Sequence, residues 1–133
     1  MPKLFLLFSH TLTEEQLADT RRSLQITECL ALPPDLQARW SNVPPDLPQI
    51  APHLQPIIHW LQQEAHPGDY VLIQGDFGAI YLLVQAAWDQ GLTPIYATTR
   101  RQVIETPLPD GRIQVQRVFQ HVRYRVYEQF PEP

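Results

Sequence analysis

The chain has 133 residues, one cysteine and a net charge of −4, with 44% hydrophobic and 18% charged side chains. That size fits a single domain over residues 1–133 with its own core, and the lone cysteine, Cys29, excludes an internal disulfide framework or a multi-cysteine zinc site and points to a reducing cytoplasm. No apolar run nears the roughly 18 residues of a membrane span, and "KLFLLF" is too short and too quickly followed by polar residues to serve as a signal peptide, so neither membrane nor export is expected.

In chain order, Lys3 to Phe8 is a short continuous apolar run, the mark of a strand buried on both faces. Thr13 and Gln16 form a capping box that opens a helix reaching about Ser23. Ile26 to Leu32 reads as a second strand. Seven prolines between Pro33 and Pro56 then alternate with Leu36, Trp40, Val43 and Leu47, an ordered connection of short turns and helical pieces. Leu54, Ile57, Ile58, Leu61 and Ala65 fall at helical spacing between His53 and His66, with Pro56 in a first turn. Tyr70 to Gln74 is a third strand, and a helix apolar nearly all round runs from Phe77 to Gln90, which predicts cover on more than one side. "TPIYATT" is a fourth strand. A hairpin follows around Asp110-Gly111, with a long second arm. Strands alternating with helices predict an α/β, Rossmann-like parallel sheet with helices on both faces and a C-terminal antiparallel hairpin.

In such a sheet ligands sit beyond the carboxyl ends of the strands. Three turns gather there: Ser9, His10 and Thr11; Gly75, Asp76, Phe77 and Gly78; and Thr98, Thr99, Arg100 and Arg101. Hydroxyls, an imidazole, helix-terminal N–H groups and two guanidiniums together suit a phosphodiester. Each also has a plainer reading, since the first turn leads into a helix and Asp76 can serve only as a cap. Neither the Walker-type nor the dinucleotide glycine fingerprint is present, and no cofactor is expected. No cluster has metal-ligand spacing, so no bound metal is expected.

Charge is distributed unevenly. Residues 100–127 hold six arginines against Glu105 and Asp110, whereas residues 1–99 hold four basic and ten acidic side chains. In the last strand, alternation places Arg117, Phe119, His121, Arg123 and Arg125 on one face and Val118, Val122, Tyr124 and Val126 on the other, with Gln120 as the exception. That arginine stripe is either a solvated face or a contact surface for a ligand or partner.

"LFLLFSHTLTEEQ", "WSNVPPDL", "GDYVLIQGDFGAIYLL", "PIYATTRR" and "VFQHVRYRVYE" resemble, over almost the whole chain, a small CRISPR-associated accessory family of type III systems. The resemblance implies a ring nuclease that opens cyclic oligoadenylate, chiefly cyclic tetra-adenylate, and so switches off an antiviral signal. It also implies a homodimer related to Rossmann-fold sensors. The expected chemistry is attack by a ribose 2′-OH on its own 3′-phosphate. Arg100 and Arg101 would stabilise charge, and His10 and His121 would be candidate general acid and base. Ser9, Thr11, Thr98 and Thr99 would bind the phosphates; Gly75, Asp76, Phe77 and Gly78 would contact ribose or adenine; Arg123 and Arg125 would complete the ligand surface. Two alternatives use the same residues: a binder that sequesters the messenger uncut, and an interaction protein docking on CRISPR RNA or an acidic subunit. No stable nucleic-acid complex is expected.

Overall fold

The computed structural model describes residues 1–131. Five strands form one sheet: β1 (Lys3–Leu7), β2 (Glu28–Ala31), β3 (Tyr70–Ile73), β4 (Thr93–Pro107) and β5 (Ile113–Val126), in spatial order β2-β1-β3-β4-β5. The first four run parallel, and β5 returns antiparallel along β4. Alternation along the central strands divides the core between the two faces. Leu4, Leu72 and Ile95 pack with Leu12, Ile26 and Tyr124 on one side. Phe5, Leu7, Val71 and Ile73 pack on the other with Trp40, Leu54, Ile57, Leu61, Leu83 and Ala87. Helices cover both faces, as the alternating pattern predicts.

Helix α1 (Glu14–Leu24) begins at the expected capping box: Thr13 Oγ1 accepts from Gln16 N at 3.2 Å, and Gln16 Oε1 accepts from Thr13 N at 2.9 Å. The proline-rich connection is ordered around α2 (Pro34–Ser41), which starts on a proline where the missing N–H is harmless. Helix α3 (Ala51–Glu64) starts before His53, so Pro56 is an interior position rather than a first-turn one and removes one intrahelical bond. Helix α4 (Phe77–Asp89) buries Ala79, Leu83, Val84 and Ala87. Its opposite side is open, with Phe77 91% and Tyr81 66% exposed, so within this chain the apolar helix is covered on one side only. Among the described residues, no helix is long and apolar enough to cross a membrane.

The largest departure from the sequence reading is β4. The expected fourth strand and first hairpin arm are one continuous strand of 15 residues. Pairing with β3 ends at Leu72↔Ile95, while pairing with β5 continues to Pro107↔Ile113. From about Thr99 the two strands leave the sheet as a free ribbon, on the order of 30 Å long at the usual rise per residue. Gly111 turns it at φ +89°, a backbone that disfavours side chains, and Asp110 Oδ1 accepts from Arg112 N at 3.0 Å.

Candidate functional site

Between β1 and β3 the chain order reverses direction across the sheet, so their carboxyl ends open the crevice where ligands of such sheets bind. A recess of about 260 Å³ lies there, lined by Phe8, Ser9, His10, Gln74 and Gly75. The first two predicted turns therefore meet. His10 is exposed, its ring 5.4 Å from that of Phe8, and Ser9 Oγ lies 3.0 Å from Ser41 Oγ on α2. Thr11 is exposed beside them.

The glycine turn after β3 is shaped by packing. Trp40, 2% exposed, donates its indole N–H to Gln74 O at 3.0 Å, and a Cβ on Gly75 would lie 3.0–3.1 Å from the indole ring. At Gly78 a Cβ would lie 3.1 Å from Ile50. These glycines let the chain cross close over α2 and the start of α3. Gly75→Val should therefore push the indole aside at a cost of about 1–3 kcal/mol; thermal unfolding and the near-ultraviolet dichroism of tryptophan would both register it. Asp76 caps α4, its Oδ2 accepting from Ala79 N at 3.0 Å. Phe77 lines a separate groove of about 610 Å³ along α4, with Tyr81, Trp88 and Tyr127 among its walls. Gln74, not among the sequence candidates, extends the sheet by accepting Ala97 N–H on its side-chain oxygen at 2.8 Å.

The last strand does not keep the predicted alternation. Thr98 pairs with Arg123 but Thr99 pairs with His121, so Val122 is an extra residue and the strand faces exchange there. Thr98 Oγ1 helps hold this bulge, donating to Arg123 O at 3.1 Å and accepting from Arg123 N at 3.3 Å. The single stripe expected from Arg117 to Arg125 is consequently two groups. Arg123 and Arg125 lie on the α4 side, where Arg125 Nη1 donates to Tyr96 Oη at 3.1 Å and its guanidinium stands over the Tyr96 ring at 5.6 Å. Arg117, Phe119 and His121 lie on the α1 side, with Tyr124 rather than opposite it. The same rule separates Arg100 from Arg101: both are exposed, but as neighbours on an extended strand they face opposite sides, Arg100 with Arg123 and Arg125, Arg101 with Phe119. Thr99 shares the Arg101 side.

His121 is engaged inside the fold. Its side chain is 6% exposed, and its Nε2 lies 2.7 Å from Oδ2 of Asp19, a helix α1 carboxylate that is 4% exposed. Asp19 also accepts from Ser23 Oγ and, at 3.2 Å, from Arg22. Burial pushes the Asp19 carboxyl upward, but the bonds from Ser23, His121 and Arg22 outweigh it and hold the group below its usual range. An ionised carboxylate can only accept, so Nε2 carries the hydrogen of the His121–Asp19 bond. That leaves Nδ1 for any proton transfer, and it is buried without a partner among the described residues. The Tyr124 ring lies 5.0 Å from the imidazole, tilted 53° to it, and its hydroxyl donates to Gln16 O at 2.9 Å; burial, then the charges of Asp19 and Cys29, holds its phenol well above the usual range. Among the described residues, no three His, Cys, Asp or Glu side chains are placed to hold a metal ion.

Over 98% of its length and the whole of the relative, the chain is 49% identical to the uncharacterized protein MJ1673 of Methanocaldococcus jannaschii. No solved structure matches it. A family model described as uncharacterized protein MJ1673 family matches residues 2–125, and the chain belongs to that family.

Proposed function

We propose that this protein is a ring nuclease that cleaves cyclic oligoadenylate, as the sequence resemblance implies. The observation that carries the reading is the array of exposed guanidiniums on the ribbon rising from the carboxyl edge of a parallel sheet. Arg100, at the base of the ribbon, shares one face of the β4–β5 pair with Arg123 and Arg125, and the recess of Ser9, His10, Gln74 and Gly75 lies on the same sheet edge. Guanidiniums suit non-bridging phosphate oxygens, and exposed hydroxyls suit the remaining contacts.

In the proposed reaction the 2′-oxygen of one ribose attacks its 3′-phosphorus, the bond to the next 5′-oxygen breaks, and a 2′,3′-cyclic phosphate forms. The proton leaving the 2′-OH is balanced by one delivered to the 5′-oxygen. RNA supplies the nucleophile, so the protein contributes in-line positioning and charge stabilisation. His10, exposed at the recess, can exchange a proton directly with such a ligand.

The test is incubation of the purified protein with labelled cyclic tetra-adenylate in EDTA, followed by product separation. Linear products ending in a 2′,3′-cyclic phosphate are expected at a rate EDTA does not change. Loss of all cleavage in EDTA, restored by a divalent ion, would refute the metal-independent mechanism. A sequestering binder is the second reading, favoured by one observation: His121 is buried against Asp19 rather than open to a ligand. Tight binding with the ring recovered intact would select it.

A further inference from the structure

We propose that the α1-side face of the β4–β5 ribbon is the surface on which a second copy of this chain docks. The resemblance implies a homodimer but assigns no surface to it; this inference comes from the ribbon itself. Every residue from 99 to 107 and from 113 to 117 is exposed. A two-stranded ribbon in water is marginal without something packed on it, yet this one presents Val103 at 56%, Ile113 at 60%, Val115 at 55% and Phe119 at 67% exposure. The strand register gathers them. Arg101↔Phe119, Val103↔Arg117, Glu105↔Val115 and Pro107↔Ile113 are successive pairs on one face. The opposite face carries Ile104 and Val118 among a larger set of polar side chains, Arg100, Gln102, Thr106, Gln114, Gln116 and Gln120.

Area supports the same occupant. A compact monomer of 15.4 kDa exposes about 7,200 Å², whereas this chain exposes 9068 Å², an excess of roughly 1,900 Å². A stable pair needs about 800 Å² from each partner, so the excess is sufficient for one. Charge fits as well. The face carries Arg117 one pair away from Glu105, and in an isologous contact each arginine can meet the other copy's glutamate. Pairing through the free edge of β5 is the weaker geometry. That edge bears Arg117, Arg123 and Arg125, and antiparallel self-pairing about residue 120 or 121 sets arginine opposite arginine.

The experiment is light scattering with sedimentation velocity on the full chain, without any nucleotide, so its outcome is separate from that of the nuclease reading. The expected wild-type species has twice the 15.4 kDa chain mass. Phe119→Glu and Val103→Glu should each weaken association by about 100-fold or more while leaving the circular dichroism unchanged, because both positions are exposed in the single chain. Glu105→Arg and Arg117→Glu should each weaken it too, and the two together should restore part of the loss. A monomeric wild type, or a dimer indifferent to both apolar substitutions, would overturn the proposal.

Discussion

Asp19→Ala is expected to lower the melting temperature by about 10–15 °C. The carboxylate is buried between α1 and β5 and accepts from Ser23, Arg22 and His121. Removing one partner of a buried ionic or hydrogen-bonded set costs about 3–5 kcal/mol, since the groups left behind remain desolvated, and a domain of this size loses a few degrees per kcal/mol. The two positions should also couple: Asp19→Ala with His121→Ala should cost less than the two singles together, because neither residue is then left facing a missing partner. The pH dependence has a definite sign. A carboxyl held below its usual range in the native state stabilises fully above its unfolded value, near 4. That contribution disappears as pH falls through the native value. Wild-type stability should therefore drop below about pH 4, with Asp19→Asn showing a shallower drop across the same range. An Asp19→Ala protein with an unchanged melting temperature would remove the pair from the architecture.

Asp19 also marks what the sequence conceals. In "EEQLADTRRSL" it reads as a solvated helix residue, and only β5, over a hundred positions later, buries it. One signal was present: Gln16, Asp19, Thr20 and Ser23 form a polar stripe at helical spacing, and three of the four are buried. Local features were legible because local residues decide them. The capping box, the double-faced β1 and the turn at Asp110-Gly111 all follow from neighbours in sequence. The bulge at Val122 is different. An extra residue leaves the run of valines, aromatics and arginines looking continuous, yet it exchanges the faces of everything beyond it and separates His121 from Arg123 and Arg125. Likewise the turn expected at Thr98 to Arg101 is continuous strand, because the rule that strands are half-buried does not hold for a ribbon that has left its sheet. The crossing of Trp40 under Gly75 depends on α2 packing beneath a strand end, a distance no short window contains.

Arg100→Ala is expected to slow cleavage of cyclic tetra-adenylate by roughly 100-fold while leaving the melting temperature within a degree or two. A charge-assisted contact to a phosphate in its transition state is worth a few kcal/mol, whereas an exposed guanidinium on a ribbon contributes little to packing. The geometry makes the comparison with Arg101→Ala informative. Arg100 shares its face with Arg123 and Arg125, so it can join them on one phosphate ring; Arg101 faces the other way, beside Phe119. If both guanidiniums serve chemistry, both variants lose about the same rate, and the ligand must reach both faces, which a single chain does not offer on one surface. If only the α4-side face holds the ring, Arg101→Ala keeps near-normal single-turnover cleavage and instead shifts the association measured for the ribbon. His121→Ala completes the set. A role in proton transfer through Nδ1 predicts a chemical step slowed more than messenger binding, while a purely architectural role predicts unchanged cleavage and a lowered melting temperature. Near-normal turnover in Arg100→Ala and Arg101→Ala alike would remove these two guanidiniums from the site and leave Arg123, Arg125 and the recess at His10 to carry the reaction.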